Sequence, residues 1–335
     1  MAASAESILE VMKQVLVELS AYDNDMDRTS IYLLAFLLAG VASWYVIPRR
    51  WLWMLSRLGR RVTGFRTRAI RAGETTWRYL DGGTGPDLVL LHGMAGEADH
   101  WLGAAGQLRR DFRILIPEMA GFSTAIPPTP EPVGIEAMAD RLADWLDSLG
   151  IKSCIIGGNS VGGWVAAAFA ARHPGRTRGL WLLAPFGTAD VPATALGQQM
   201  AAGENPFQMD SMADFRTLTR LLFNSAPQVP YPIARATFLN ARRLSPITQR
   251  VPGEVLGTAP SLQSLTRQID VPTLVEWGEQ DKVMDVTAAG LLAGCLAQAD
   301  VVTHDECGHM VMLECPTRAA SALRRFARKH GWLPA

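Results

Sequence analysis

Ser160 stands in Gly158-Asn159-Ser160-Val161-Gly162, a G-x-S-x-G pattern, with Gly157 and Gly163 widening the small-residue flank. A serine hydroxyl is a poor nucleophile near neutral pH and attacks a carbonyl only when a base takes its proton. An apolar run, Ser153–Ile156, leads into the pattern and an Ala-rich helical run, Trp164–Arg172, leaves it. Such a sharp strand-to-helix turn exposes the Ser Oγ, and small residues two before and two after it relieve the crowding. In this arrangement the order along the chain is Ser, acid, His. Of the six histidines, His92, His100 and His173 lie too early, or before Ser160 altogether, which leaves His304, His309 and His330. His330 closes a terminal helical pattern and His304 closes a strand pattern. His309 follows in Asp305-Glu306-Cys307-Gly308-His309, a loop able to reach back over the sheet edge, and is the expected base. The acid should follow the strand Thr273–Trp277, in Gly278-Glu279-Gln280-Asp281; Asp281 is expected there to fix the imidazole tautomer, with Glu279 and Asp285 as rivals. A developing oxyanion needs two backbone N–H donors. Val161, next after the nucleophile, and Met94, in His92-Gly93-Met94-Ala95-Gly96, are the expected pair, with His92 shaping that turn by hydrogen bonding. This chemistry calls for no metal and no cofactor.

The elements that must hold these residues follow from the apolar patterning. Asp87–Leu91, Phe112–Ile116, Ser153–Ile156, Gly179–Leu183, Thr273–Trp277 and Asp300–Thr303 read as buried strands. Helical patterns lie near 134–149, 161–173, 286–298 and 316–330. Continuous apolar strands alternating with helices predict an α/β fold with a mostly parallel central sheet covered on both faces. Residues 188–268 hold helical patterns and no clear strand, too long for a loop, and are expected to form an inserted helical cap. Ile126–Pro132 reads as a turn-rich connection.

The chain has 335 residues, 48% hydrophobic and 19% charged, enough to bury a sizeable core. Its formal net charge of +0 conceals a step. Residues 1–28 carry six acids and two bases, 29–48 carry no charge, and 49–71 carry eight arginines and no acid. A chain-wide basic face is lacking, so nucleic acid is not an expected partner. Thr29–Pro48 is twenty residues long, about 30 Å as a helix, with Trp44 and Tyr45 near its end and Trp51 and Trp53 beyond. It is read as a membrane helix; an interfacial helix, or one docked on the globular part, also fits. The arginines of 49–63 can meet anionic headgroups, and the positive-inside rule places the catalytic part in the cytoplasm. Ile8, Met12, Val15, Leu16 and Leu19 recur at helical spacing in 1–28, an amphipathic segment that could self-associate or lie on the bilayer. Four cysteines without tight spacing argue against a disulfide scaffold or a Cys-based zinc module and fit a reducing compartment.

HGMAG, PEMAGFS (Pro117–Ser123), GNSVGG, WGEQDKV (Trp277–Val283) and CGHMVMLECP (Cys307–Pro316) resemble successive landmarks of the α/β-hydrolase superfamily over about 64–330. With its apolar N-terminal run, Arg/Trp-rich linker and cap, the whole chain is most similar to membrane-anchored monoacylglycerol lipases of that superfamily. Two residues depart from or qualify the pattern: Glu118 stands where the superfamily usually has Asp, and an Asn beside the serine, here Asn159, also occurs in carbon–carbon bond hydrolases of aromatic degradation. The resemblance implies a core over 64–187 and 269–335, a cap over 188–268, a basic linker over 49–63, a membrane helix over 29–48 and a serine hydrolase acting on lipid esters, monoacylglycerols first. Carbon–carbon hydrolysis or acyl transfer by the same three residues, and a non-catalytic membrane scaffold, are the competing readings. Met and Phe residues of the cap, among them Met200, Phe207, Met209, Met212 and Phe215, suit an acyl pocket or simple cap packing.

Overall fold

The β-branched and leucine-rich runs form strands and pair side by side in an eight-stranded sheet of order β1-β2-β4-β3-β5-β6-β7-β8 in a computed structural model. The structure describes residues 28–124, 126, 134–248 and 259–334, with Glu10, Lys13, Gln14 and Val17. The amphipathic reading of 1–28 and nearly all of the Ile126–Pro132 connection lie outside the described residues. The strands are β1 (Phe65–Ala72), β2 (Thr75–Gly83), β3 (Asp87–Leu91), β4 (Arg113–Pro117), β5 (Cys154–Asn159), β6 (Thr177–Leu183), β7 (Thr273–Gly278) and β8 (Ala299–His304). From β4 to β8 every pairing is parallel; β1 and β2 are antiparallel to each other, and β2 is antiparallel to β4.

Alternation along the strands divides the core in two. Leu88 and Leu90 of β3 face one cluster with Trp101, Ile114, Trp181 and Leu323; Val89 and Leu91 face the other with Trp145, Ile156, Val165 and Trp277. Helices cover both faces. They are α3 (Leu102–Leu108), α4 (Ile135–Ser148), α5 (Val161–Arg172), α10 (Thr287–Cys295), the one-turn α11 (Val311–Glu314) and α12 (Pro316–Lys329). Between β6 and β7 the described residues hold four helices and no strand: α6 (Ala195–Ala201), α7 (Met212–Leu222), α8 (Tyr231–Thr248) and α9 (Leu262–Thr266).

The chain divides into two compact units. The larger contains Leu58–Pro227 and Asn240–Ala335, and so the whole sheet. The smaller contains Met1–Arg57 and Gln228–Leu239. In the smaller unit α1 (Arg28–Val46) is followed by α2 (Pro48–Val62), which runs on into the larger unit. One uninterrupted helix over 29–48 does not form. The residue before a proline is driven out of the helical region, so α1 ends at Val46, Ile47 makes the break and Pro48 takes the first position of α2. Tyr32–Val46 and Pro48–Val62 are bent by 94°; no single described helix is long and apolar enough to cross a membrane, while the bent pair passes that test together. The indole of Trp51 donates to the Ser43 hydroxyl at 3.1 Å and packs edge-on against Trp44, fixing the corner. Residues 49–63, expected as a linker, are therefore mostly helical.

Candidate active site

Strand β5 ends at Asn159 and α5 begins at Val161, so Ser160 alone makes the turn. Its φ of 57° and ψ of −126° are costly for a residue with a side chain, which marks a position held by its surroundings. The glycines explain how the turn closes. A Cβ at Gly158 would sit 2.3 Å from the Gly162 backbone, and one at Gly162 would sit 2.5 Å from the carbonyl oxygens of Leu91 and His92. The β3 loop approaches as closely: a Cβ on Gly93 would lie 3.1 Å from the Ser160 Cβ. As the first residue of α5, Val161 has an N–H with no acceptor inside the helix.

Met94 follows a peptide whose direction is fixed. Burial pushes the His92 imidazole down to about 4, so the ring is neutral near neutral pH. Its Nε2 accepts the Met119 N–H at 3.0 Å, which leaves the proton on Nδ1, donated to the Gly93 carbonyl at 2.8 Å. The Gly96 N–H binds the same carbonyl at 3.1 Å. In a trans peptide the N–H points opposite to the C=O, so anchoring the Gly93 oxygen orients the Met94 N–H. His92 thus shapes the turn, as its place in HGMAG suggested. Glu118, buried next to it, accepts the Ala98 N–H at 3.2 Å and the Ser123 hydroxyl at 2.5 Å, and burial pushes its carboxyl up to about 7.

Asp281 lies in the loop after β7 and His309 in the loop after β8. Asp281 Oδ1 accepts the Val283 and Met284 N–H groups at 2.7 and 2.9 Å, leaving Oδ2 to meet His309 Nδ1 at 2.8 Å. Facing a carboxylate, Nδ1 carries the proton and Nε2 is the basic nitrogen. Both side chains are almost fully buried. The rivals are engaged elsewhere. His304 Nε2 is 2.6 Å from Glu276, whose other oxygen takes the Trp181 indole N–H at 2.7 Å. Glu279 accepts from Thr303, Asp285 accepts from Thr287, and the His330 ring packs at a tilt against Phe326 and Trp332.

Three contacts here are not legible as spacing. The Asn159 amide donates to the His309 carbonyl at 3.0 Å and to the Leu183 carbonyl at 3.1 Å, which ties the Ser160 turn to the His309 loop. Glu314 accepts the Gly308 N–H at 3.0 Å, and burial pushes its carboxyl up. Cys307 and Cys315 form a disulfide around His309, their Cα atoms 6.4 Å apart. The expectation of reduced cysteines is thus corrected for this pair; Cys154 and Cys295 are free. Their eight-residue separation fits no standard metal-ligand spacing, and α11 turns the chain back and brings the two ends together.

The alpha/beta hydrolase fold family model matches residues 86–316, more than half of the chain and all three of Ser160, Asp281 and His309. The chain belongs to the α/β-hydrolase family. It is an enzyme of the serine-hydrolase kind, and its relatives carry lipase names. Lipase 3 of Moraxella sp. (strain TA144) is 28% identical over 253 residues, 73% of this chain and 78% of that protein. Monoacylglycerol lipase ABHD6 of Bos taurus is 26% identical over 329 residues, 90% of this chain and 96% of that one. Among solved structures, one described as a membrane phospholipase A and bacterial virulence factor superposes with a TM-score of 0.80 at 26% identity, covering 91% of this chain and 99% of that one.

Proposed function

We propose that this α/β-hydrolase cleaves carboxylic esters of lipids through an acyl-enzyme on Ser160, with monoacylglycerols as the preferred class. The observation that carries the reading is the 2.8 Å contact of Asp281 with His309 Nδ1, which leaves Nε2 as the base for a serine on a strained turn. Ser160 Oγ attacks the ester carbonyl as His309 takes its proton. The Met94 and Val161 N–H groups receive the oxyanion, and His309 returns the proton to the leaving alcohol. Water then repeats the sequence on the acyl-enzyme. A fluorophosphonate probe should label the wild-type protein, and Ser160→Ala should lose both labelling and hydrolysis while remaining folded. Ester turnover by Ser160→Ala at a near wild-type rate would remove the assignment.

The site is proposed to work at a membrane. Support comes from α1, where Tyr32, Leu33, Phe36, Leu37 and Val41 are all more than half exposed, and from the arginines of α2. Isolated exposed apolar residues are ordinary; five on one short helix are a patch that lipid can cover. The full-length protein should co-sediment with membranes and stay bound in about 1 M salt, where the Debye length is roughly 3 Å and charge alone holds little. Release by salt would show that the arginines, not the α1 face, hold it.

A further inference from the structure

The last carbonyls of a helix have no partner within it. In α7 these orphans are taken up by the loops that carry the proposed acid and base. Lys282, next to Asp281, extends its ammonium to the Arg220 and Phe223 carbonyls at 3.3 Å each. The His309 N–H donates to the Leu222 carbonyl at 3.0 Å. Just past the helix, Glu314 Oε2 accepts the Asn224 and Ser225 N–H groups at 3.0 and 3.2 Å, while Oε1 holds Gly308. The Asn224 amide closes the ring by donating to the Glu306 carbonyl at 3.0 Å. One carboxylate therefore grips the His309 loop with one oxygen and the end of α7 with the other. A cation at a helix C-terminus is also favoured by the helix dipole.

We infer that Glu314 and Lys282 are positioning residues: acting through the end of α7, they hold His309 and Asp281 in register, so that the placement of this helix sets the rate at Ser160. This rests on the proposed roles of Ser160, Asp281 and His309. Neither Glu314 nor Lys282 reaches the reacting atoms in this account. A shift of the base on the order of 1 Å is worth about a hundredfold in rate, so even a small loosening is readable.

The test uses the full-length enzyme in detergent, a short chromogenic ester, and active sites counted with the fluorophosphonate probe. Glu314→Gln keeps the shape but leaves one good acceptor for two sets of donors. It should lower kcat per counted site between about tenfold and a hundredfold with KM changed by less than about twofold. Glu314→Asp should recover part of the loss, because both acceptor oxygens return. Lys282→Met should lower kcat by less, its bonds being longer. The deciding measurement is the same Glu314→Gln change made in Asp281→Ala. If Glu314 acts through the acid–base pair, the change should alter the residual rate by less than about twofold there. An equal loss in both backgrounds would mean a merely structural role and overturn the inference, as would unchanged kcat per site in Glu314→Gln. If that variant does not fold, Lys282→Met in the same two backgrounds decides by the same criteria. Failure of the catalytic reading itself would show differently, as a wild-type protein the probe does not label or an active Ser160→Ala.

Discussion

At the scale of single residues, steric approach dictates what can stand around Ser160. Only glycine fits the 2.3–2.5 Å approaches at Gly158 and Gly162. Asp281 and His309 are read from chain order and from the strands they follow. What stayed hidden was long-range pairing: Asn159 with the His309 carbonyl spans 150 residues, and Asn224 with Glu314 spans 90. Glu118 was visible as a departure, but its consequence needed the fold. Burial moves its carboxyl from an ordinary 4.5 to about 7, while it moves His92 and His100 from 6.5 to about 4. A carboxyl raised in the folded state lowers stability as pH climbs from the unfolded value to the folded one. A depressed histidine contributes stability above its unfolded value and loses it as pH falls towards its folded one. Between about pH 4.5 and 6.5 the two slopes oppose. Glu118→Gln removes the first and keeps an acceptor for Ala98 or Ser123. The stability of this variant relative to wild type should therefore rise between about pH 4.5 and pH 8, with an upper bound of roughly 3 kcal/mol from the change at Glu118. Thermal or urea unfolding at both ends of that range measures it, and a constant difference would show that Glu118 ionises normally in the folded protein.

At the scale of elements, the buried parallel strands are legible to within three residues at their ends, because strands covered on both faces are apolar throughout; the largest miss is Ser153–Ile156, which runs on to Asn159. The β1–β2 hairpin is not legible. Phe65-Arg66-Thr67-Arg68-Ala69-Ile70-Arg71-Ala72 is mostly exposed, and its arginines made it look like part of the basic block rather than an edge strand. Charged residues on an edge strand also discourage pairing with another chain, which is reason enough for them there. The proline at 48 is the sequence signal for the break between α1 and α2, set within an uncharged run that by itself reads as one helix. The disulfide bears on compartment. It encloses His309, Met310 and α11 in a small loop, a closure worth roughly 2–3 kcal/mol by the chain-entropy account. Disulfides persist in oxidising compartments, whereas the arginine step favours the cytoplasmic side. Thiol titration of unfolded protein purified without reductant should find only Cys154 and Cys295. Four reactive thiols would leave Cys307 and Cys315 as neighbours only and remove this sign of an oxidising compartment.

For the whole molecule, the exposed apolar side chains of α1, the basic α2 and the helices between β6 and β7 each suit the proposed lipid-ester substrate. Under the proposed function, α1 meets a bilayer and the site works where single-chain amphiphiles partition. The helical insert places Leu196, Met209, Leu218 and Leu221 among its buried side chains and Met200 and Phe207 partly buried against the core, side chains that can adapt to a flexible chain. Each methylene removed from water is worth about 0.8 kcal/mol, close to a fourfold gain if the chain is bound throughout the reaction. With 1-monoacylglycerols of increasing length, kcat/KM should climb by up to about fourfold per methylene and then level once the apolar space is filled. Partitioning into micelles would imitate the rise, so the series belongs below the critical micelle concentration, with the homologous triacylglycerols as the comparison. A rise in kcat/KM that halts at an intermediate length, and is lost in the triacylglycerols, is the expected pattern. A flat response from acetyl to dodecanoyl esters would mean that the acyl chain is not bound in apolar surroundings. Faster cleavage of a dienoate ring-fission product than of any glycerol ester would move the same three residues to carbon–carbon hydrolysis.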